Sequence, residues 1–333
     1  MKYELHIVKD QKVWDSFIRQ CIDSTYFHRY VWGKILEKSG LGRRLYLALE
    51  ETKEGTVGLI PLFVVNKPFK RLIPIPHSVY GQPLFSHFVI NRGKELVSFL
   101  LKNIRKICLK KGCLLSYLTT PSFSPFSTYL YRLYKCSDKY GISLRLHLEK
   151  SDPDFIWKRK LSKKRRNNIR KAMKSGVDTK PIENFIDLKE YYRMYLHVCR
   201  RKGNLKPLPF NLFKFIWKEM RQEDEYLAMF ALHNGRPIAG IMAFIFKDGI
   251  HVWSNVSYDS YWHLNPNDLL YWDVIRYACE NDFRFVDFGA SSKRGNFLFK
   301  KQFGANPIGL YRFWIFPNNR FMNAVLRMRG ILR

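Results

Sequence analysis

Leu227-Ala-Met-Phe-Ala-Leu232, the turn Asn234-Gly235 and Pro237-Ile-Ala-Gly-Ile-Met-Ala-Phe-Ile-Phe246 decide the fold of this chain. Two apolar runs of strand length separated by Asn-Gly make a β-hairpin, because Asn and Gly accept the positive φ angles of a tight turn. The same arrangement stands earlier in Arg44-Leu-Tyr-Leu-Ala-Leu-Glu50, a charged turn ending at Gly55, and Thr56-Val-Gly-Leu-Ile-Pro-Leu-Phe-Val-Val65. Leu45–Phe63 and Leu227–Phe244 thus share a strand, a Gly-bearing turn and a second strand with an internal glycine, Gly58 or Gly240. One repetition of this size points to duplicated domains, since a solenoid needs at least three stacked units.

The flanking elements repeat in the same order. Helices are expected around Trp14–Cys21 and Trp32–Ser39 before the first hairpin, and around 187–202 and 210–222 before the second. After the first hairpin, Asn91 can cap a helix to about Lys111 with Leu96, Phe99, Leu100, Ile104 and Ile107 as its apolar stripe; Gly112 ends it and Cys113-Leu-Leu-Ser-Tyr-Leu118 follows as a strand. After the second, Lys247-Asp-Gly249 turns into the strand Ile250–Tyr258, a polar loop, a helix from about Asp268 to Asn281 and the strand Phe283–Phe288. Meandering strands with one crossover helix per half predict an α/β fold (mixed α+β), each half a mainly antiparallel sheet flanked by helices.

The 333 residues suffice for two domains, and 26 Phe, 19 Tyr and 8 Trp can fill their cores, which argues against disorder. Lys and Arg outnumber Asp and Glu 58 to 28, a net charge of +30 that attracts anionic partners such as nucleic acid, lipid headgroups or phosphorylated precursors, without choosing among them. The six cysteines form no C-x-x-C pair and no zinc-ligand spacing, so they read as buried thiols of a reducing compartment and no metal is assigned. The charged N-terminus is no secretory signal and no run reaches 18 apolar residues. A cytoplasmic protein is expected, with peripheral contact at the inner membrane face left open.

Three segments can carry chemistry. Asp152 can cap a helix with Pro153 in its first turn, running to Ser175-Gly176; within it, residues 158–174 hold ten Lys and Arg and no acid. Helical spacing puts Lys163, Arg166, Arg170 and Lys174 on one face and Leu161, Ile169 and Met173 toward another. Like charges four apart cost a few tenths of a kcal/mol per pair. A polyanion would remove that cost; a solvated helix is the plain alternative. The loop Trp262–Asn267 opens the next helix, whose free N–H groups suit an anion, unless Asn267 is only a cap. The loop has no glycine for the close backbone approach of a pyrophosphate cradle. Finally, Asp287 ends an apolar strand in Phe285-Val-Asp-Phe-Gly289, and Lys300 stands between Phe299 and Phe303, packing neighbours that would fix an ammonium facing a phosphate or a developing oxyanion. The alternative is a structural Asp287–Lys300 ion pair. No histidine has the Ser or Cys partner of a nucleophilic triad.

Gly235-Arg-Pro-Ile-Ala-Gly240, Asn265-Pro-Asn-Asp-Leu-Leu-Tyr-Trp272, Phe285-Val-Asp-Phe-Gly289 and Phe299-Lys-Lys-Gln-Phe-Gly304 resemble, in this order, the second domain of FemABX-like acyltransferases; Leu161–Ala172 is similar to the family's basic signature, and the hairpin near Gly58 to its first domain. The resemblance implies two tandem GNAT-type domains, here 1–150 joined by the C-terminal segment 318–333, and 151–317. It implies amide formation on an amine of an anionic cell-envelope precursor, nucleotide- or lipid-linked as in peptidoglycan assembly, or of a polysaccharide. The acyl donor would be aminoacyl-tRNA or acyl-CoA, with no cofactor held permanently. Lys300 would supply transition-state electrostatics, with Asp287 as the second catalytic candidate; Arg166, Arg170, Phe299, Asn267 and Tyr80 would bind substrate. Two alternatives stand: an acyl-CoA-dependent N-acyltransferase on a sugar, and a non-catalytic RNA- or membrane-surface-binding protein.

Overall fold

A computed structural model describes residues 3–86, 93–133, 137–148, 152–203, 205–221, 224–291 and 293–317. The C-terminal segment 318–333, Asn91 and Cys136 lie outside these. The chain forms two compact units: Ile142–Ile308 is one, and the residues before it, with those from Gly309 on, are the other.

In the first unit Asp10 caps α1 (Gln11–Gln20), its carboxylate accepting the N–H groups of Lys12 and Val13, so that Trp14 and Ile18 turn inward. α2 (Tyr30–Lys38) buries Trp32, Ile35 and Leu36. Strands β1 (Tyr3–Ile7), β2 (Arg43–Glu51) and β3 (Gly55–Val65) pair antiparallel in that order. β4 (Arg71–Pro74) and β5 (Leu84–Phe85) both pair with β3. α3 (Gly93–Lys110) buries Leu96, Val97, Leu100, Ile104 and Cys108, a stripe at helical spacing, and is the crossover to β6 (Leu115–Pro121), parallel to β4. α4 (Pro125–Leu133) follows.

The second unit repeats this order. β7 (Ser137–His147) leads to one turn of α-helix (Pro153–Phe155) and a π-turn (Ile156–Lys160), then α5 (Lys163–Lys174), β8 (Val177–Pro181), α6 (Phe185–Arg201) and α7 (Phe210–Met220). β8, β9 (Tyr226–His233), β10 (Arg236–Phe246) and β11 (Gly249–Ser257) pair antiparallel. α8 (Pro266–Glu280) crosses to β12 (Phe285–Ala290), which is parallel to β11 over three residue pairs, Gly249↔Phe285 to His251↔Asp287. α9 (Arg294–Lys301) and β13 (Asn306–Ile315) close the order.

The unit boundaries, Gly141/Ile142 and Ile308/Gly309, fall inside strands β7 and β13. Residues 143–147 of β7 pair with β12, and residues 310–315 of β13 pair with β6. Hydrogen bonding of each strand to its sheet outweighs its place in the chain. Each unit also has its own core, one around Leu62, Leu100 and Phe313, the other around Ile241, Val274 and Phe303.

The expected helix from Pro153 to Lys174 is broken. Asp152 does cap its first turn, accepting from Phe155 N–H at 2.6 Å. Leu161 then turns extended, Ser162 donates its N–H to the Gln302 carbonyl at 2.9 Å, and its hydroxyl caps α5. Burying Ile156 and Leu161 requires the break, since a straight helix would carry only one of them inward. Among the described residues no helix is long and apolar enough to cross a membrane.

Candidate functional site

The site is built where β12 leaves its ladder. Between Asp287 and Ala290 the register against β7 shifts, and Gly289 takes φ +71°, a conformation open to glycine without strain. The kink folds the Gly289 N–H back onto Asp287 Oδ1 at 2.9 Å and leaves the carbonyls of Gly289 and Ala290 pointing off the ladder. Lys300 occupies both: its Nζ donates to Gly289 O at 3.0 Å and Ala290 O at 3.1 Å. An ammonium has three N–H donors. Among the described residues, the third has no partner.

Lys300 is 9% exposed, and burial drives its proton affinity down to about 8, with Lys202 adding to the fall and the Asp287 charge opposing it. Neutral carbonyls alone do not make good the water the ammonium lost. Its helix is packed on an aromatic cluster through Phe299: Tyr271 lies 5.1 Å from Phe299, 5.3 Å from Phe288 and 5.6 Å from Phe303, ring centre to ring centre. Phe303 is fully buried and Phe299 half-buried.

Asp287, 1% exposed, is engaged on both oxygens: Ser143 Oγ and Gly289 N–H donate to Oδ1 at 2.9 Å, and Arg145 Nε to Oδ2 at 3.2 Å. Its ion pair is with Arg145, whose guanidinium also lies 4.1 Å over the Phe285 ring. With both oxygens engaged in this way, Asp287 braces the kink.

The basic helix contributes a residue the sequence analysis overlooked. Arg165 points inward on the face of Ile169 and Ala172, while Met173 is 48% exposed. The spacing i, i+4, i+7 of these three marks that face and could have revealed it. Arg165 Nη1 meets Asp268 Oδ1 at 2.8 Å, both side chains 7% exposed, and its guanidinium lies 4.7 Å over the Phe299 ring. Burial pushes the Asp268 carboxyl up to about 6 and lowers the guanidinium's proton affinity, each against the pull of its partner. The pair therefore does not repay its own desolvation. What it does is join α5, the first turn of α8 and the aromatic residue beside Lys300.

The remaining candidates are dispersed. Arg166 Nη1 donates to the carbonyls of Trp157, Lys158 and Leu161, the last at 2.6 Å, and so stabilises the chain break before α5. Arg170 is exposed, its guanidinium 5.3 Å over the Trp157 ring. Asn267 is no cap: Asn265, with φ +55°, precedes Pro266 in that position, and Asn267 donates from Nδ2 to Ser257 Oγ at 3.2 Å. Tyr80 lies in the first unit, 2% exposed, with its ring 5.7 Å from Phe123. Among the described residues no group of His, Cys, Asp and Glu could hold a metal ion.

Residues 163–301 match the model of the acetyltransferase (GNAT) domain. No curated protein matches the chain in sequence. Among solved structures the chain is similar to FemX (12% identity, TM-score 0.72, covering 98% of this chain and 99% of that one). It is also similar to a tandem GNAT protein from the clavulanic acid biosynthesis pathway, described without AcCoA (10% identity, TM-score 0.61, 95% and 99% covered). L-PGS from Bacillus licheniformis is a third (14% identity, TM-score 0.57, 97% and 98% covered). With two units of repeated element order, a GNAT domain over 163–301 and a FemX-like course over nearly its whole length, the chain has a FemABX-like fold of two GNAT-type domains.

Proposed function

We propose that the protein is an acyltransferase that forms an amide on an amine of an anionic cell-envelope precursor or polysaccharide, with aminoacyl-tRNA or acyl-CoA as donor. The observation that carries this is Lys300: a buried ammonium fixed on the carbonyls of Gly289 and Ala290, with one donor left over among the described residues. In a site poor in water such a charge acts strongly on a developing oxyanion and needs no reorganisation as the reaction proceeds.

The neutral amine attacks the carbonyl of an ester or thioester, the C–N bond forms, and negative charge collects on the carbonyl oxygen beside Lys300. Collapse breaks the C–O or C–S bond, and the amine proton passes through water to the leaving alcohol or thiol. Lys300 keeps its protons throughout. Asp287 positions the kink that carries its two acceptors, and Arg165 positions Phe299. Orientation of the two reactants supplies much of the remaining rate.

The test incubates the protein with radiolabelled aminoacyl-tRNA, or with labelled acyl-CoA, and a lipid-linked peptidoglycan precursor. Label should appear in amide linkage on the precursor, and Lys300→Met should lower that rate by about 100-fold or more while the protein stays folded. Absence of transfer from both donors to this precursor and to an amino-sugar polymer refutes the proposal. A second reading, transfer from acyl-CoA to a sugar amine, draws support from the likeness to the tandem GNAT protein whose description refers to AcCoA. Label entering the polymer from acyl-CoA alone would select it.

A further inference from the structure

One stretch of the first unit is nearly free of negative charge. From Gly55 to Ser137 twelve residues are Lys or Arg and a single one, Glu95, is acidic. Glu95 lies in the first turn of α3, whereas Leu109 lies in the last, roughly 20 Å further along the axis at 1.5 Å per residue. At that far end three exposed apolar side chains stand among the cations: Leu109 (59% exposed), Leu114 (53%) and Phe69 (39%).

Hydrogen bonds bring the three together. Cys113 N–H returns to the Cys108 carbonyl and Gly112 N–H to that of Leu109, both at 2.9 Å, closing α3 with Gly112 at φ +63°. Leu114 N–H then donates to the Lys70 carbonyl at 2.9 Å, which sets it beside the loop that carries Phe69. That loop is pinned from β4: Arg71 Nη2 donates to the Lys67 carbonyl at 2.6 Å, and its guanidinium lies 5.3 Å over the Phe69 ring. Cys108 and Cys113 are buried in the core, and Leu109 and Leu114, the residues after them, are left outside. Lys67, Lys70, Lys106, Lys110 and Lys111, all exposed, border them on the loop and around the end of α3.

Single exposed leucines are ordinary on a protein surface. Three apolar side chains gathered among five lysines call for a partner that is anionic and apolar at once. A bilayer of anionic lipid is both, with phosphate outside and hydrocarbon beneath. Nucleic acid matches the charge alone: Leu109 and Leu114 offer no ring to a base, and one face of Phe69 is taken by Arg71. A second copy of the chain would bring the same lysines to a self-complementary contact and be repelled. The stretch Asn318–Arg333, with four arginines and no acid, has the same sign of charge and does not complement the patch.

We infer that the junction of α3, β6 and the Lys67–Lys70 loop is a docking surface for anionic lipid bilayers. Phe69, Leu109 and Leu114 enter the headgroup layer, and the lysines around them meet lipid phosphates while their stems lie along the apolar side chains. This goes beyond the reaction proposed above and does not depend on it.

The experiment sediments the full chain with vesicles of phosphatidylcholine alone, or of phosphatidylcholine and phosphatidylglycerol in equal parts. Wild type should bind the anionic vesicles and leave the neutral ones, and added salt should release it. Lys70→Gln, Lys110→Gln and Lys111→Gln combined should lower partitioning by about 100-fold. Leu109→Ser with Leu114→Ser should lower it by about 5- to 30-fold. Both variants should keep the melting curve of wild type, since every altered side chain is exposed. As a control, Lys163, Lys171 and Lys174 of α5, also exposed, are changed to Gln together. That variant should bind nearly as wild type does, because screening confines each charge's effect to its surroundings.

Equal losses in the α5 variant and the first-unit lysine variant overturn the inference, because net charge alone would then account for binding. Undiminished binding by both first-unit variants, or no binding of anionic vesicles by wild type, overturns it as well. Loss in the lysine variant with none in the double serine variant overturns it in favour of a purely electrostatic contact. Binding of a labelled single-stranded RNA that falls in the first-unit variants, with no vesicle binding, overturns it in favour of nucleic acid. Vesicle binding is read without substrate, so failure of the transfer test leaves this result intact.

Discussion

The hairpins β2–β3 and β9–β10 are the same device used twice, yet the units around them differ in how they treat buried charge. Gly58 and Gly240 each sit where a Cβ would strike an aromatic ring, at 2.6 Å from Phe85 Cδ1 and 2.8 Å from Tyr191 Cδ2. Both hairpins carry a register irregularity, and both lead through a crossover helix to a parallel strand. In the first unit the buried polar groups are tied mostly to one another and to backbone. Asp23 accepts from Ser124 Oγ at 2.6 Å, Gln82 donates to the Asp23 carbonyl at 2.8 Å, and His28 meets the Gln82 carbonyl at 3.1 Å. In the second unit an ammonium rests on neutral carbonyls, and the pair Arg165–Asp268 is buried at a net electrostatic cost. The first unit has a buried pair of its own, Arg29 and Asp15 at 3.3 Å, whose carboxyl burial also pushes up, so what sets the second unit apart is the ammonium resting on the carbonyls of its kinked strand.

The largest effect expected is on stability. Arg165→Met leaves Asp268 buried without its cation and should cost about 3–5 kcal/mol in denaturant unfolding, while the double change Arg165→Met with Asp268→Leu should return to within about 1 kcal/mol of wild type or above it. A loss below about 1 kcal/mol for the single variant, the level of an exposed pair, would show that burial adds nothing to this pair.

Next is Lys300→Met, expected to reduce transfer by about 100- to 1,000-fold without lowering the melting temperature, since a buried cation is removed. The pH dependence sharpens this. Lys300 is protonated below and neutral above about 8, so transfer should decline through that pH, and Lys300→Arg should lose that decline because a guanidinium stays charged. For stability the sign is the reverse. The folded affinity lies below the unfolded value of 10.5, so from about 8 up to 10.5 the unfolded chain holds a proton the folded one has released, and stability contributed by Lys300 rises with pH across that window. Lys300→Met should flatten the rise.

Gly58→Ala and Gly240→Ala should each cost about 1–3 kcal/mol by overpacking against Phe85 and Tyr191. If the hairpins are the same device, urea midpoints should fall by similar amounts; a cost at only one would show that the other aromatic can step aside. The smallest effect is Arg170→Ala, exposed and over the Trp157 ring, which should stay within about 1 kcal/mol of wild type in the same urea titration.

Much of this was legible in the chain itself. Asn234-Gly235 and Gly55 announced both hairpins, and the 3.6-residue spacing of Leu96, Leu100 and Ile104 announced a helix that buries them. The side chains around the site were less so. Arg166 and Arg170 share a face with other cations and invite a phosphate reading, and the spacing does not show that Arg166 Nη1 also meets the carbonyls of the chain break before α5. Arg165 looked like one more cation in a run of ten. Its partner Asp268 is over a hundred residues away, and local spacing carries no information about such a meeting.

By itself the sequence determined the alternation of strands, turns and helices, the duplication and the position of the Phe-Lys motif after its strand, because these follow from backbone propensity and periodicity over a few neighbouring residues. Only the tertiary structure decided that Asp287 braces a kink, that Lys300 closes on Gly289 and Ala290, and that residues 143–147 and 310–315 complete their sheets. These depend on which distant groups exclude water together, and the strength of a charge depends on that exclusion.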